Sequence, residues 1–229
     1  KDESVLVLTE TTSNLHHPNF IPAIDQLITA LDEKEFEDLQ PEILLTFGGL
    51  VVSKRIKAFL RKYKPKHHWH IDQKSALDTY FVLSHHFKRD INDFFEEFLM
   101  KTQPVESTYL REWLNIRGHR KQLHSEYEKE IDYSDFMVFQ KIFEHLPARL
   151  QLQLSNSATI RYAQLFDLPK GVEVFCNRGT SGIDGSTSTA AGHARATPDE
   201  NHILITGDMA FQYDINGLWN RNFPQNLKI

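Results

Sequence analysis

An α/β fold built on mainly parallel sheet is what this sequence predicts. Short apolar or β-branched runs bounded by turn residues alternate with amphipathic stretches of helical period, the pattern of βαβ units. The composition supports a packed domain of that kind. Of 229 residues 40% are hydrophobic and 25% charged, enough for one large core or two smaller ones.

The strand-like runs are Val5 to Leu8, Ile43 to Phe47, His68 to Ile71, Tyr80 to Leu83, Leu150 to Leu154, Val172 to Cys176 and His202 to Thr206. Helical periodicity covers Pro22 to Leu39, Ser53 to Tyr63, Ile91 to Met100, Thr108 to Lys129, Ser134 to His145, Ala158 to Phe166 and Ser186 to Ala196. The alternation breaks between about Lys101 and Arg149, where two helices follow one another without a strand. Thr102 to Ser107 reads as a linker before them. A boundary near residue 104 follows, with βα units ahead of it and a helical arm, then renewed α/β structure, behind it. The chain opens at Lys1 without an initiator Met and closes on Asn226 to Ile229, which reads as the start of another strand; a fragment of a longer protein is expected.

The formal net charge of −5 argues against a general affinity for nucleic acid or an anionic membrane. The basic clusters Lys54 to Lys66 and Arg117 to Lys121 are ordinary for solvated helix faces. Cys176 is the single cysteine, so no disulfide forms within the chain, in keeping with a reducing cytoplasm. No apolar run approaches the ~20 residues that span a bilayer, and no secretory signal is expected.

Four segments carry chemistry. Phe47-Gly48-Gly49 follows a strand and precedes Ser53-Lys54-Arg55 at a helix start. Cations there oppose the helix macrodipole and hint at an anionic ligand, although a plain βα turn with surface cations has the same sequence. Asn177 to Gly192 is richer: Gly179, Gly182, Gly185 and Gly192 fall within a short stretch, with Arg178, Ile183, Asp184 and the hydroxyls of Ser186, Thr187 and Ser188 among them. Small residues after a strand let backbone approach a bulky ligand, and hydroxyls at a helix start suit an anion. Gly207-Asp208 follows the last long strand. An acid so placed can hold a divalent ion that also binds a diphosphate, with Met209 and Ala210 N–H groups beside it, or can serve only as an N-cap. Ser157 and Arg161, four apart at a helix start, suit a substrate carboxylate or form an unremarkable cap and surface Arg. His67-His68-Trp69-His70 could align two imidazoles on one strand face, but no Cys or carboxylate pattern completes a metal site, and a polar strand edge is the simpler expectation.

Asn177-Arg-Gly-Thr-Ser-Gly-Ile-Asp-Gly185, the Ser157-to-Arg161 element upstream, and Gly207-Asp208 with Tyr213 to Leu218 together resemble the 2-succinyl-5-enolpyruvyl-6-hydroxy-3-cyclohexene-1-carboxylate (SEPHCHC) synthases. The Gly48-Gly49 and Lys54-Arg55 element is also similar, so the resemblance runs from about residue 43 to 218. Met209 stands where thiamine-diphosphate enzymes usually carry a Gly, a departure this family tolerates.

The resemblance implies a thiamine-diphosphate-enzyme fold, with residues 1–103 as the later part of the central domain and residues 104–229 as a helical arm and the first half of the diphosphate-binding domain. It implies a transferase that decarboxylates 2-oxoglutarate on thiamine diphosphate and adds the succinyl carbanion to isochorismate in menaquinone biosynthesis. The cofactors would be thiamine diphosphate and Mg²⁺ or Mn²⁺, the assembly a homodimer or homotetramer, the location cytoplasmic. Carried over by position, Asp208 would bind the metal; Gly182, Ile183, Asp184, Gly207, Met209 and Ala210 would hold the cofactor, Ile183 from beneath. Ser157, Arg161 and Arg178 would grip substrate carboxylates, and Lys54 and Arg55 would reach in from the central domain for isochorismate. The activating glutamate belongs to another domain, so no catalytic residue is assigned within this chain, and the fragment alone would be inactive. Another thiamine enzyme of the acetolactate-synthase kind, or a non-catalytic binding module, are the rival readings. The loops at 178–185 and 207–211 are expected to lie side by side.

Overall fold

The computed structural model describes residues 2–229. In chain order its strands and helices are β1 (Val7–Leu8), β2 (Phe20–Ile21), α1 (Ile24–Ile28), α2 (Glu33–Asp38), β3 (Ile43–Phe47), α3 (Lys54–Lys62), β4 (His67–Ile71), β5 (Leu83–Phe87), α4 (Ile91–Lys101), α5 (Tyr109–Glu130), α6 (Asp135–Glu144), β6 (Leu150–Leu154), α7 (Ala158–Ala163), β7 (Val172–Cys176), α8 (Ser186–Ala196), β8 (Asn201–Ile205), α9 (Asp208–Tyr213) and β9 (Leu227–Lys228). Two compact units result. Of the described residues, one comprises 2–7 and 24–121 and the other 8–23 and 122–229, so the chain passes between them for the last time within α5. No helix of the described residues is long and apolar enough to cross a membrane.

In the first unit β3, β4 and β5 form a parallel sheet in that order. Helix α3 follows β3 and buries Ile56, Phe59 and Leu60, while Lys54, Arg55, Arg61 and Lys62 stay exposed. Ser53 caps it, its Oγ accepting from the Ile56 N–H at 3.0 Å. Trp113 on α5, 1% exposed, meets Phe59 with ring centroids 6.4 Å apart. The single helix expected over Pro22 to Leu39 is two. Asp32 and Glu35 form a reciprocal capping box, with Oδ1 of Asp32 accepting from Glu35 N–H at 2.8 Å and Oε2 of Glu35 accepting from Asp32 N–H at 2.9 Å, so α2 starts afresh there. The expected strand at Tyr80 to Leu83 begins only at Leu83. The Asp78 carboxylate accepts from the N–H groups of Val82 (2.9 Å) and Leu83 (3.0 Å), and Phe81 turns through φ 62°. The histidines are not on a sheet edge either. β4 is the central strand, His68 is 1% exposed, and the Thr46 hydroxyl is 2.8 Å from both His68 Nε2 and His70 Nδ1.

In the second unit the sheet order is β7-β6-β8-β9, every neighbour parallel. β6 is the first strand in sequence yet lies inside, because the chain crosses to β7 on one side and returns to β8 on the other. Its alternate Leu150, Leu152 and Leu154 are all buried, together with Val172 and Val174 of β7 and Leu204 of β8. Ala190, Ala191 and Ala194 of α8 pack with Leu204 and Leu227, small residues that let a helix lie close to a sheet. Helix α7 ends at Ala163, three residues short of the expected Phe166; the Leu165 N–H closes a tighter turn onto the Tyr162 carbonyl at 2.9 Å.

Candidate functional site at the carboxyl ends of β6, β7 and β8

The register aligns Leu154 with Cys176 on one side and with Ile205 on the other, so the turns after three parallel strands leave the sheet at the same end. In open α/β sheets that end binds ligands, at the point where successive connections diverge. Here the divergence lies between β6 and β8. The loops after β7 and β8 leave the sheet at this same end, from strands that flank β6 with its turn Ser155-Asn156-Ser157. It is stitched to the β8 side by Ser155, whose N–H donates to the Ile205 carbonyl (3.0 Å) and whose Oγ donates to Thr206 Oγ1 (2.7 Å).

The β7 side is held by Asn156, which sequence reasoning did not single out. Its side chain is 2% exposed. Nδ2 donates to the carbonyls of Asn177 (2.7 Å) and Gly182 (2.6 Å), and Oδ1 accepts from Arg178 Nη1 (2.6 Å) and from the Cys176 thiol (3.4 Å). Asn177 continues the bracing, its Nδ2 donating to the Gly185 carbonyl (3.2 Å) and to Thr189 Oγ1 (3.0 Å). Gly185 sits at φ 74°, a left-handed conformation that a Cβ disfavours, and from it α8 begins. Burial pushes the Cys176 thiol up to about 11 against the opposing pull of Arg178, so this cysteine is a thiol at neutral pH and not a nucleophile.

The sequence-predicted residues fall into four groups. Arg178, Gly182, Ile183 and Asp184 are assembled in the braced loop after β7. Arg178 is half-buried; Asn156 takes Nη1, Nε is buried without a partner, and no carboxylate pairs with it among the described residues. Ser157 and Arg161 follow β6. Ser157 precedes α7 but makes no side-chain cap; it lies at φ 71°, ψ −127°, a conformation costly for a residue with a Cβ, with its side chain exposed. Arg161 is exposed and, like Asp208, has no side-chain partner among the described residues. Gly207, Asp208, Met209 and Ala210 follow β8, with Asp208 opening α9. Lys54 and Arg55 head α3 in the first unit, both exposed.

Two features suit an anionic, metal-bridged ligand at the β6–β8 end. Among the described residues the hydroxyls of Ser186 and Thr187, 5% and 0% exposed at the start of α8, have no hydrogen-bond partner, and Arg178 has no counter-charge. Asp208 offers a carboxylate, and no group of three or more His, Cys, Asp or Glu among the described residues could hold a metal alone. That donor set fits a divalent ion completed by phosphate oxygens rather than a protein cage.

The comparisons with known proteins identify the family. Residues 5–154 match the family model described as the middle domain of thiamine pyrophosphate. The chain belongs to this family of thiamine-pyrophosphate enzymes. Among curated proteins it is 57% identical over 229 residues to the SEPHCHC synthase of Flavobacterium johnsoniae, a match covering 100% of this chain and 41% of that protein. The SEPHCHC synthase of Flavobacterium psychrophilum is 55% identical over 228 residues, again 100% of this chain and 41% of the relative. That of Phocaeicola vulgatus is 40% identical over 227 residues, 97% of this chain and 39% of the relative. The chain thus spans about two fifths of the length of these relatives. The α/β fold with parallel sheets flanked by helices and the likeness to SEPHCHC synthases both stand as the sequence implied.

Proposed function

We propose that this chain is part of a SEPHCHC synthase, which releases CO₂ from 2-oxoglutarate and transfers the remaining succinyl unit to isochorismate in menaquinone biosynthesis, working in the cytoplasm as a homodimer or homotetramer. In this reading residues 1–103 belong to the later part of the central domain. Residues 104–229 supply the helical arm and the first half of the diphosphate-binding domain.

The observation that carries the reading is Arg178, a half-buried guanidinium braced by Asn156 and lacking any carboxylate partner among the described residues. A half-buried cation without a counter-charge suits an anion, and both proposed substrates bear carboxylates. Ser157 and Arg161, uncommitted at the neighbouring turn, would take the far carboxylate of 2-oxoglutarate. Lys54 and Arg55, both exposed at the head of α3, would serve isochorismate.

Thiamine diphosphate, when bound, supplies the electron sink that lets the carboxylate leave as CO₂. The residues for it are Gly182, Ile183 and Asp184 after β7 and Gly207, Met209 and Ala210 after β8, with Ile183 as the apolar support. Asp208 would hold Mg²⁺ or Mn²⁺ against the diphosphate.

The test uses the full-length protein with thiamine diphosphate and Mg²⁺, offered 2-oxoglutarate or pyruvate, each with and without isochorismate. CO₂ release from 2-oxoglutarate and an isochorismate adduct are expected, both lost in Asp208→Ala. Preference for pyruvate would transfer the site to the acetolactate-synthase kind, and cofactor binding unchanged by Asp208→Ala would remove the metal role.

A further inference from the structure

We infer that Asn156 is a positioning residue for substrate recognition: it fixes the Arg178 guanidinium through Nη1, so that the substrate carboxylate is taken by the remaining edge of the fork. This rests on the reading of Arg178 as a carboxylate ligand.

The amide of Asn156 has one orientation that satisfies all four of its bonds. Nδ2 faces the carbonyls of Asn177 and Gly182, and Oδ1 faces Arg178 Nη1 and the Cys176 thiol. Turned over, it would set its oxygen against two carbonyls and its NH₂ against the guanidinium. The side chain is 2% exposed, so water cannot replace any of these bonds. Asn156 therefore ties three things together: the turn after β6, the Gly182 backbone that precedes Ile183, and the direction of Arg178.

No other natural side chain reproduces this. Asp offers an acceptor to Arg178 but sets its second oxygen against the two carbonyls, and its charge neutralises the guanidinium that the substrate needs. Ala removes every bond. Gln has the right groups on a stem one carbon longer, which moves its amide off all four partners of a residue that is 2% exposed. Asn156 acts on Arg178 and on the loop, not on the reacting atoms.

The experiment is a double-mutant cycle in the full-length protein, with Asn156→Ala and Asn156→Asp each combined with Arg178→Met. The readouts are calorimetric affinity for glutarate, a non-reacting dicarboxylate, the KM and kcat for 2-oxoglutarate, and the melting temperature. Arg178→Met should weaken glutarate by about thirtyfold or more. Asn156→Ala should weaken it roughly three- to tenfold, and Asn156→Asp more, with KM rising further than kcat falls. In the Arg178→Met background both Asn156 changes should alter glutarate affinity by less than about twofold while the melting temperature still falls. If Asn156→Ala does not fold, Asn156→Ser carries the same cycle, since its hydroxyl can still serve one neighbour.

An Asn156 effect on glutarate that is equally large without the guanidinium, or no effect at all beside an intact Arg178 effect, overturns the inference and leaves the functional reading in place. Glutarate binding unmoved by Arg178→Met overturns the functional reading of Arg178 and the inference with it.

Discussion

The Asp214 carboxylate receives both the backbone N–H and the hydroxyl of Ser188, each at 2.6 Å. Ser188 lies in the first turn of α8, whose N-cap, Gly185, has no side chain to offer, so a residue 26 positions away in sequence supplies the cap.

Gly217 makes that reach possible. A Cβ there would stand 3.0 Å from Ser188 N and 3.3 Å from its Cα, backbone atoms that cannot move aside. Asp214→Ala should cost about 1–2 kcal/mol through loss of the charge-assisted cap. Gly217→Ala should cost about 1–3 kcal/mol by forcing the two segments apart. Because both changes break one contact, the double variant should be less destabilised than the sum of the singles, by more than ~0.5 kcal/mol in urea unfolding. Full additivity would show that Gly217 matters for another reason.

A pH dependence follows from His202. This residue of β8 is 1% exposed; its Nε2 pairs with Thr197 Oγ1 at 2.8 Å, its Nδ1 has no partner among the described residues, and the His193 ring stands edge-on at 4.7 Å. Burial, then the nearby His193, hold the imidazole below its usual range, while Glu200 and the Thr197 bond pull the other way. A lowered folded pKa means that the fold prefers the neutral ring. The stability it confers is complete above the unfolded imidazole pKa of about 6.5 and is lost as pH falls from there through the folded value. His68 and His70 of the first unit, lowered chiefly by burial, act in the same direction. Unfolding midpoints should therefore drop between pH 7 and pH 5. His202→Phe should flatten that slope, leaving Thr197 its second bond to the His193 carbonyl at 3.0 Å. A variant with the wild-type slope would exclude His202 as a contributor.

The strands and turns around the site were legible because each is local. Leu150 to Leu154, Val172 to Cys176 and the Gly-rich run after them carry their signals in consecutive residues, and the parallel sheet follows from the alternation with helices. What escaped depends on distance. The Asn156 side chain bonds to residues 20 to 26 positions on, Asp214 caps a helix 26 positions back, and the place of β6 between β7 and β8 is a matter of crossover. The break between α1 and α2 was different in kind, since Asp32 with Glu35 is a capping-box pair in plain view and was overridden by the continuing apolar period. His68 misled for a physical reason too: imidazoles suggest a polar edge, but Thr46 satisfies one nitrogen and lets the ring lie in the centre of the sheet.

Arg161 and Arg178 differ in a way that separates binding from stability. Arg178 is bonded and half-buried; Arg161 is exposed with no side-chain partner among the described residues, so its replacement should leave the fold within ~0.5 kcal/mol of wild type. Under the proposed function it is nonetheless the cation for the far carboxylate of 2-oxoglutarate. A carboxylate desolvated in the closed complex and then deprived of its partner loses about 2–5 kcal/mol. In the full-length enzyme Arg161→Ala should lower kcat/KM for 2-oxoglutarate by roughly 30-fold to several thousandfold. Arg161→Lys should recover only part, because it restores the charge without the bidentate fork. Thiamine diphosphate affinity should barely move in either variant, since the residues proposed for it follow β7 and β8 rather than β6. Steady-state kinetics with a separate cofactor titration decide the matter: wild-type 2-oxoglutarate kinetics in Arg161→Ala would make Arg161 an ordinary surface residue, whereas a loss of cofactor affinity would move its role from substrate to cofactor.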